Sequence, residues 1–181
     1  MGKTKIRIGI IVFALFLVGA VLLYNYLKDR NEGSEATYEV EKRIAVDFTA
    51  MDEEGNSVRL FDYFGKPVVV NFWASWCPSC KAEMPDFNEL YKERGSEVNF
   101  LMVDMTDGLR ETVEIGKAHV EEQGFDFPVL FDTDSSGAMA YSITSIPTTL
   151  FINRDGEIVA TVYGTMSKDK IMEYLDSEEM K

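Results

Sequence analysis

A pair of cysteines at the end of a buried strand constrains this chain most. Cys77 and Cys80 are its only cysteines, and the six residues Val68–Trp73 shortly before them are almost continuously apolar. Such a run is typical of a strand that is covered on both faces of a sheet. Apolar residues then recur at helical spacing, at Met84, Phe87, Leu90 and Tyr91. The pattern predicts an α/β fold with the cysteine pair between a central strand and a helix.

The start of that helix is a favourable place for a reactive cysteine. Free backbone N–H groups and the positive end of the helix dipole favour a thiolate there. Cys77 is therefore predicted to be an exposed nucleophile that attacks a disulfide. Cys80, one turn further on and more buried, would resolve the mixed disulfide. Pro78 suits the first turn of a helix and stiffens the loop.

Three other interpretations of the cysteine pair are weaker. A structural disulfide across so short a loop removes little entropy from the unfolded chain. A zinc site usually requires four nitrogen or sulfur ligands, and His119 is the only further candidate in the sequence. Two unrelated buried cysteines would share this spacing only by coincidence. The prediction is redox chemistry without a metal ion, and His119 is expected at the surface.

Four stretches resemble a known family: Asn71–Pro85, Phe127–Val129, Ser145–Thr149 and Phe151–Gly156. In order and content they resemble the thioredoxin superfamily, specifically the membrane-anchored TlpA/ResA-like thiol-disulfide oxidoreductases. The resemblance covers about residues 44–176. It implies a thioredoxin-like α/β fold with a central mixed β-sheet, helices on both faces, an N-terminal β-hairpin and a central insertion.

The chain departs from the family pattern at two positions. Family members often begin the domain with Ala-Pro-Asp-Phe, whereas this chain has Val46 in place of the proline. Cytoplasmic thioredoxins have a buried acid where this chain has Asn71, so any proton-handling group must lie elsewhere. The resemblance points to Glu83, three residues after Cys80, as the proton donor or acceptor for the thiols. The alternative is that Glu83 is one more solvated acid on a helix.

The resemblance also implies a groove for the substrate. In thioredoxin-like folds a cis proline at the place of Pro147 faces the cysteines. The backbone of Ile146 would then offer hydrogen bonds to an extended substrate segment. Trp76 and Pro78 are expected to border this groove. No cofactor is expected beyond the redox-active cysteine pair.

The N-terminal part of the chain predicts a membrane anchor and a tether. Residues 1–7 are basic, residues 8–27 carry no charge, and residues 28–43 are polar. The uncharged run would span about 30 Å as a helix. Positive charge before it places the N-terminus in the cytoplasm and the domain of residues 44–181 outside the membrane. A cleaved signal peptide is the alternative, because Val18, Gly19 and Ala20 form a passable cleavage site.

The charge of the chain and its resemblance to the family together indicate which classes of molecule it can bind. A net charge of −13 repels nucleic acid and anionic lipid surfaces. The implied function is that of an extracytoplasmic, membrane-tethered thiol-disulfide oxidoreductase that reduces protein disulfides. Apocytochrome c is a candidate substrate in cytochrome c maturation, a transmembrane thiol carrier would supply electrons, and a monomer is expected. The alternatives are a thiol peroxidase and a non-enzymatic acidic binding module with a structural disulfide.

The other elements follow from hydrophobic periodicity and turn residues. The pattern predicts a hairpin over residues 46–60, a strand at 98–105, a helix from Leu109 through Val120, a strand at 127–131, a short helix at 135–141, a hairpin over 148–163, and a last helix that carries Ile171 and Leu175. The helix and strand after residue 105 correspond to the central insertion that the resemblance implies.

Overall fold

The computed structural model describes residues 17–23 and 43–180. Residues 17–23 are helical, and their side chains are exposed. Across these two described ranges, no helix is both long enough and apolar enough to cross a membrane. The predicted basic N-terminus, most of the predicted anchor and nearly all of the predicted linker lie outside the described residues. The anchor and the linker therefore stay predictions.

The domain is organised around one mixed sheet of eight strands. In chain order these are β1 (Arg43–Ile44), β2 (Thr49–Met51), β3 (Ser57–Arg59), β4 (Val68–Trp73), β5 (Asn99–Asp104), β6 (Val129–Phe131), β7 (Thr148–Ile152) and β8 (Glu157–Tyr163). Their order across the sheet is β1-β8-β7-β4-β5-β6-β2-β3. β4, β5 and β6 run parallel, and β7 runs antiparallel to β4. The predicted strand that precedes the cysteines is thus at the centre of the sheet.

Helices cover both faces of the sheet, as the resemblance implies. They are α1 (Pro78–Arg94), α2 (Val113–Gln123), α3 (Ser136–Ala140) and α4 (Lys168–Leu175), with 3₁₀ turns at Leu60–Tyr63 and Glu178–Met180. Side chains of β4 alternate between the faces. Val69 and Trp73 join a core with residues of α1, α2 and α4, whereas Val68 and Phe72 join a second core with the β2–β3 region. Both sides of the central strand are therefore buried.

Most predicted elements are present, with one clear exception. The central strand and the helix end at Arg94 match the prediction, and the N-terminal hairpin forms as β2 and β3. The prediction that a helix begins at Leu109 is wrong, because α2 begins only at Val113 and Leu109 is 91% exposed. The carboxylate of Asp107 accepts hydrogen bonds from three successive backbone N–H groups, which holds residues 107–111 as a loop.

Candidate active site

The two cysteines lie at the start of α1, where the sequence predicts them. Cys77 is the N-cap residue, and its Sγ accepts a hydrogen bond of 3.1 Å from the backbone N–H of Cys80. The two residues form a disulfide with a Cα–Cα separation of 5.3 Å. Pro78 occupies the first helical position, which needs no backbone N–H donor. The N-terminus of α1 therefore sets the positions of both cysteines.

The prediction of an exposed Cys77 is wrong for this oxidised pair. Cys77 is only 3% exposed, while Cys80 is 0% exposed. The reason is that the chain before Pro147 packs against the disulfide: the carbonyl oxygen of Ile146 lies 3.8 Å from Cys77 Sγ. The predicted order of burial holds, because Cys80 is the more enclosed of the two.

The predicted groove residues come together at the disulfide. The Ile146–Pro147 peptide bond is cis, as the resemblance implies, and the carbonyl group of Ile146 faces Cys77. Trp76, directly before Cys77, is 36% exposed, and the guanidinium carbon of Arg110 lies 3.7 Å from the centre of its indole ring. An extended segment that approaches the disulfide would meet this aromatic and cationic edge.

Glu83, three residues after Cys80 on α1, is buried rather than solvated. Its side chain is 1% exposed. Oε1 accepts a hydrogen bond of 2.8 Å from Asn71 Nδ2, and Oε2 accepts one of 2.9 Å from the backbone N–H of Met166. Burial raises the pKa of Glu83 to about 7, against the lowering effect of these two donors, and the charge of Asp86 raises it further. The carboxyl group can therefore exchange a proton near neutral pH.

Asn71 occupies the position on the central strand where cytoplasmic thioredoxins have a buried acid. It is fully buried on β4 and donates hydrogen bonds to Glu83 and to Thr149 Oγ1 on β7. The amide on the strand thus orients a carboxyl group that comes from the helix. The sequence identified Asn71 as a departure from the family pattern but did not indicate its contact with Glu83.

The loop between β8 and α4 ties this carboxyl group to the start of α1. Met166 supplies the backbone N–H to Glu83, and Thr165 Oγ1 donates a hydrogen bond of 3.3 Å to the backbone carbonyl of Ser79. Since Ser79 lies between the two cysteines in the sequence, the loop contacts both the Cys77–Cys80 segment and the buried acid. Hydrophobic periodicity did not indicate this link, because it depends on backbone groups of a loop.

Two further acids near the site were missed by the sequence reasoning. Asp104 at the end of β5 and Glu111 in the following loop are both fully buried. A charged residue at the carboxyl end of a buried parallel strand, beside the strand that leads to the cysteines, could have indicated the first. His119 was expected at the surface but is partly buried on α2, with its ring centre 5.9 Å from that of Trp73. Burial lowers the pKa of His119, the nearby charge of Lys81 adding to this effect.

Comparison with known proteins supports the same chemistry. The sequence pattern of the AhpC/TSA family matches residues 42–161. The chain is 34% identical over 180 residues to the thiol-disulfide oxidoreductase ResA of Bacillus thuringiensis, covering 97% of each chain. The exposed lipoprotein thioredoxin Etrx1 of Streptococcus pneumoniae is similar in structure, with 38% identity, a TM-score of 0.61, and coverage of 72% of this chain and 98% of that one. A secreted disulfide oxidoreductase of Mycobacterium tuberculosis is 27% identical, with a TM-score of 0.63 and coverage of 71% and 93%.

Proposed function

This chain belongs to the AhpC/TSA family and is a ResA-like thiol-disulfide oxidoreductase, and from that premise we propose that it acts outside the cytoplasmic membrane as a membrane-tethered reductant of protein disulfides. The observation that carries the proposed direction is the buried carboxyl group of Glu83, three residues after Cys80 on the same helix.

Reduction of a substrate disulfide proceeds in two exchanges. The thiolate of Cys77 attacks one substrate sulfur, so that a disulfide forms between enzyme and substrate and the other substrate sulfur leaves as a thiolate. The thiolate of Cys80 then attacks Cys77 Sγ, and the second substrate sulfur leaves. The substrate gains two electrons, and the enzyme ends with the Cys77–Cys80 disulfide seen in this structure. An electron donor must then reduce that disulfide before the next cycle.

Glu83 is suited to move the proton that the second exchange requires. The thiol of Cys80 must lose its proton before it can attack, and Cys80 is 0% exposed, so solvent reaches it poorly. Glu83 follows Cys80 by three residues on α1, a spacing that places side chains on neighbouring positions of a helix. With a pKa of about 7, its carboxylate can accept the proton near neutral pH.

The same carboxylate favours a reducing potential. A buried negative charge close to the cysteines opposes the formation of a second negative charge on a thiolate. It therefore destabilises the ionised dithiol relative to the uncharged disulfide, which makes the dithiol a stronger electron donor above the pKa of Glu83. The N-terminus of α1 acts in the opposite sense by stabilising a thiolate on Cys77. Glu83→Gln should accordingly make the pair less reducing at pH 8 and leave its potential nearly unchanged at pH 5.

Location outside the cytoplasm is proposed on two grounds. The uncharged run of residues 8–27 behind a basic N-terminus has the length and the charge order of a membrane anchor. The S. pneumoniae relative is described as an exposed lipoprotein and the M. tuberculosis relative as secreted. For the substrate we propose protein disulfides in extended segments, with the haem-attachment cysteines of apocytochrome c as a candidate and a transmembrane thiol carrier as electron donor.

Two measurements in cells test the location and the direction. Fractionation with N-terminal sequencing should find the full-length chain in the membrane fraction, whereas a soluble form that begins near Val21 would contradict the anchor. Rapid acid quenching followed by a mass-adding thiol reagent should find Cys77 and Cys80 mainly reduced. A pair that is mainly oxidised in growing cells would contradict the role of reductant and indicate an oxidant. When the reduction potential of Glu83→Gln is compared with that of the wild type at pH 5 and pH 8, Glu89→Gln is the matched control, because Glu89 is an exposed acid on α1.

A further inference from the structure

Two buried acids, Asp104 and Glu111, lie next to the loop that leads to the cysteines. Asp104, the last residue of β5, is fully buried and is the register partner of Trp73 on β4 and of Phe131 on β6. α2 closes over it at Gly116, where an added Cβ would lie 1.8 Å from Asp104 Oδ2. The missing side chain of the glycine is thus what allows the helix to pack directly on this carboxyl group.

Glu111 connects this buried acid to the redox loop. It is fully buried, and its two oxygens accept hydrogen bonds from one residue: Oε1 from the backbone N–H of Ser75 at 3.2 Å, and Oε2 from Ser75 Oγ at 2.7 Å. Ser75 lies in a turn that is closed by a hydrogen bond from the backbone N–H of Cys77 to the carbonyl of Ala74. The carboxyl group of Glu111 therefore holds the turn that positions Cys77.

Asp104 and Glu111 can both be buried without two adjacent negative charges if one of them is protonated. As a carboxylate, Asp104 has no donor within reach of either oxygen among the residues that the structure describes. As a neutral acid, Asp104 can donate a hydrogen bond to the side chain of Glu111, which lies within hydrogen-bond reach. Burial first, and then the negative charge of Glu111, raise the pKa of Asp104 to about 9. Two close carboxyl groups that share one proton avoid placing two unpaired charges in the core.

We infer that Asp104 and Glu111 form a proton-sharing pair that positions the redox loop: Glu111 fixes the turn before Cys77 through Ser75, and the neutral acid of Asp104 holds Glu111 in place. Neither acid contacts a cysteine among the hydrogen bonds described, so both are positioning residues. The inference rests on the dithiol chemistry of the proposed function and adds two residues that support the loop before Cys77.

The pair also predicts a dependence on alkaline pH. Other charged groups near it are Asp107 in the same loop, which acts on Asp104, and His119 on α2, which interacts with Glu111; Lys81 on α1 lies near His119. Loss of the shared proton above about pH 9 leaves two adjacent negative charges and removes the hydrogen bond between them. In folded protein with an intact disulfide, the cysteines do not titrate, so this step can be observed without interference from the thiols.

The role of Ser75 and Glu111 can be tested by equilibrium with glutathione. The equilibrium constant between the Cys77–Cys80 pair and the glutathione couple is measured at pH 7 for the full-length chain, for Ser75→Ala, for Glu111→Gln and for the double variant. Each single change should shift this constant by about threefold or more, and the double variant should match the larger single effect, because both changes break one connection. Glu114→Gln, an exposed acid in the first turn of α2, is the control.

The proton is tested separately on the oxidised protein. Asp104→Asn keeps a hydrogen-bond donor toward Glu111 but cannot ionise. The urea midpoint of the wild type should therefore fall relative to that of Asp104→Asn as the pH rises from 6 to 9, and the difference should then level off. The two proteins should have similar glutathione constants at pH 7.

The outcomes separate this inference from the proposed function. If the wild type itself does not exchange with glutathione, the dithiol chemistry fails. If the wild type exchanges but Ser75→Ala and Glu111→Gln match the Glu114→Gln control, or if their effects simply add, only the positioning role is overturned. If Glu111→Gln fails to fold, Ser75→Ala still tests the positioning role. This change removes only the side-chain hydrogen bond to Glu111 and keeps the one from the backbone N–H of residue 75. Parallel urea midpoints for the wild type and Asp104→Asn would overturn the shared proton.

Discussion

The oxidised Glu83→Gln variant should gain stability relative to the wild type as the pH rises. In the folded state Glu83 stays protonated up to a pKa of about 7, whereas the ordinary value is 4.5. The folded wild type therefore binds more protons than the unfolded chain between these pH values and loses stability across them. Glutamine cannot ionise, so the variant does not share that loss.

The size of the effect follows from the difference between the two pKa values. Each tenfold difference in acidity corresponds to about 1.4 kcal/mol, so a pKa of about 7 against 4.5 gives about 3 kcal/mol at pH 8. The contribution of the neutral acid is complete below pH 4.5 and is lost as the pH reaches about 7. Glutamine cannot accept two hydrogen bonds in the same way from Asn71 and Met166, so the variant also carries a constant penalty. The change with pH, not the absolute difference, is the quantity that reports on Glu83.

The assay is urea unfolding of the oxidised proteins at several values between pH 4.5 and 8, followed by circular dichroism. Glu89→Gln removes an exposed charge from the same helix, and its effect should stay within about 1 kcal/mol. A difference between the wild type and Glu83→Gln that is constant across this pH range would refute the reasoning. Glu83 would then ionise at its ordinary pH in the folded protein, and the proposed proton transfer would lose its basis.

Three further predictions concern the surroundings of the site. In reduced protein, mild alkylation should label Cys77 before Cys80, because Cys77 is the less enclosed residue; peptide mass spectrometry checks this, and equal labelling would contradict it. Asn71→Asp would place two carboxyl groups in contact, so its stability should fall more steeply than that of the wild type between pH 5 and 8; a parallel pH dependence in urea unfolding would argue against the contact. Gly116→Ala should destabilise the protein by about 1 to 3 kcal/mol, because its Cβ would collide with Asp104; an unchanged urea midpoint would mean that α2 can shift away.

The sequence predicted the central part of the fold because two strong patterns met there. The apolar run Val68–Trp73 is typical of a strand buried on both faces, and the periodicity after Cys80 is typical of a helix. The prediction was wrong at Leu109 because periodicity counts an apolar residue without detecting the Asp107 turn that keeps it in a loop. The edge strand β1 was not predicted, since two residues that pair with β8 carry no pattern of their own.

The parts of the candidate site that lie close together in the sequence could be predicted. Cys77, Cys80 and Glu83 belong to one helix, so their proximity follows from spacing alone. The contact of Glu83 with Asn71 joins a helix to a strand, and that of Glu111 with Ser75 joins two loops. Neither is encoded in periodicity. The burial of Glu83 and Asp104 results from the packing of the sheet and helices, and so do the raised pKa values of these two groups.

Trapping of the mixed disulfide tests the central claim most directly. Cys80→Ser leaves Cys77 able to attack a substrate but unable to be released, so disulfide-linked adducts should accumulate in cells. Cys77→Ser is the matched control and should form few or none. The account predicts adducts that depend on Cys77, disappear on reduction, and contain proteins located outside the cytoplasm. The absence of adducts with Cys80→Ser, or equal amounts with both variants, would contradict the assignment of this chain as a reductant that acts through Cys77.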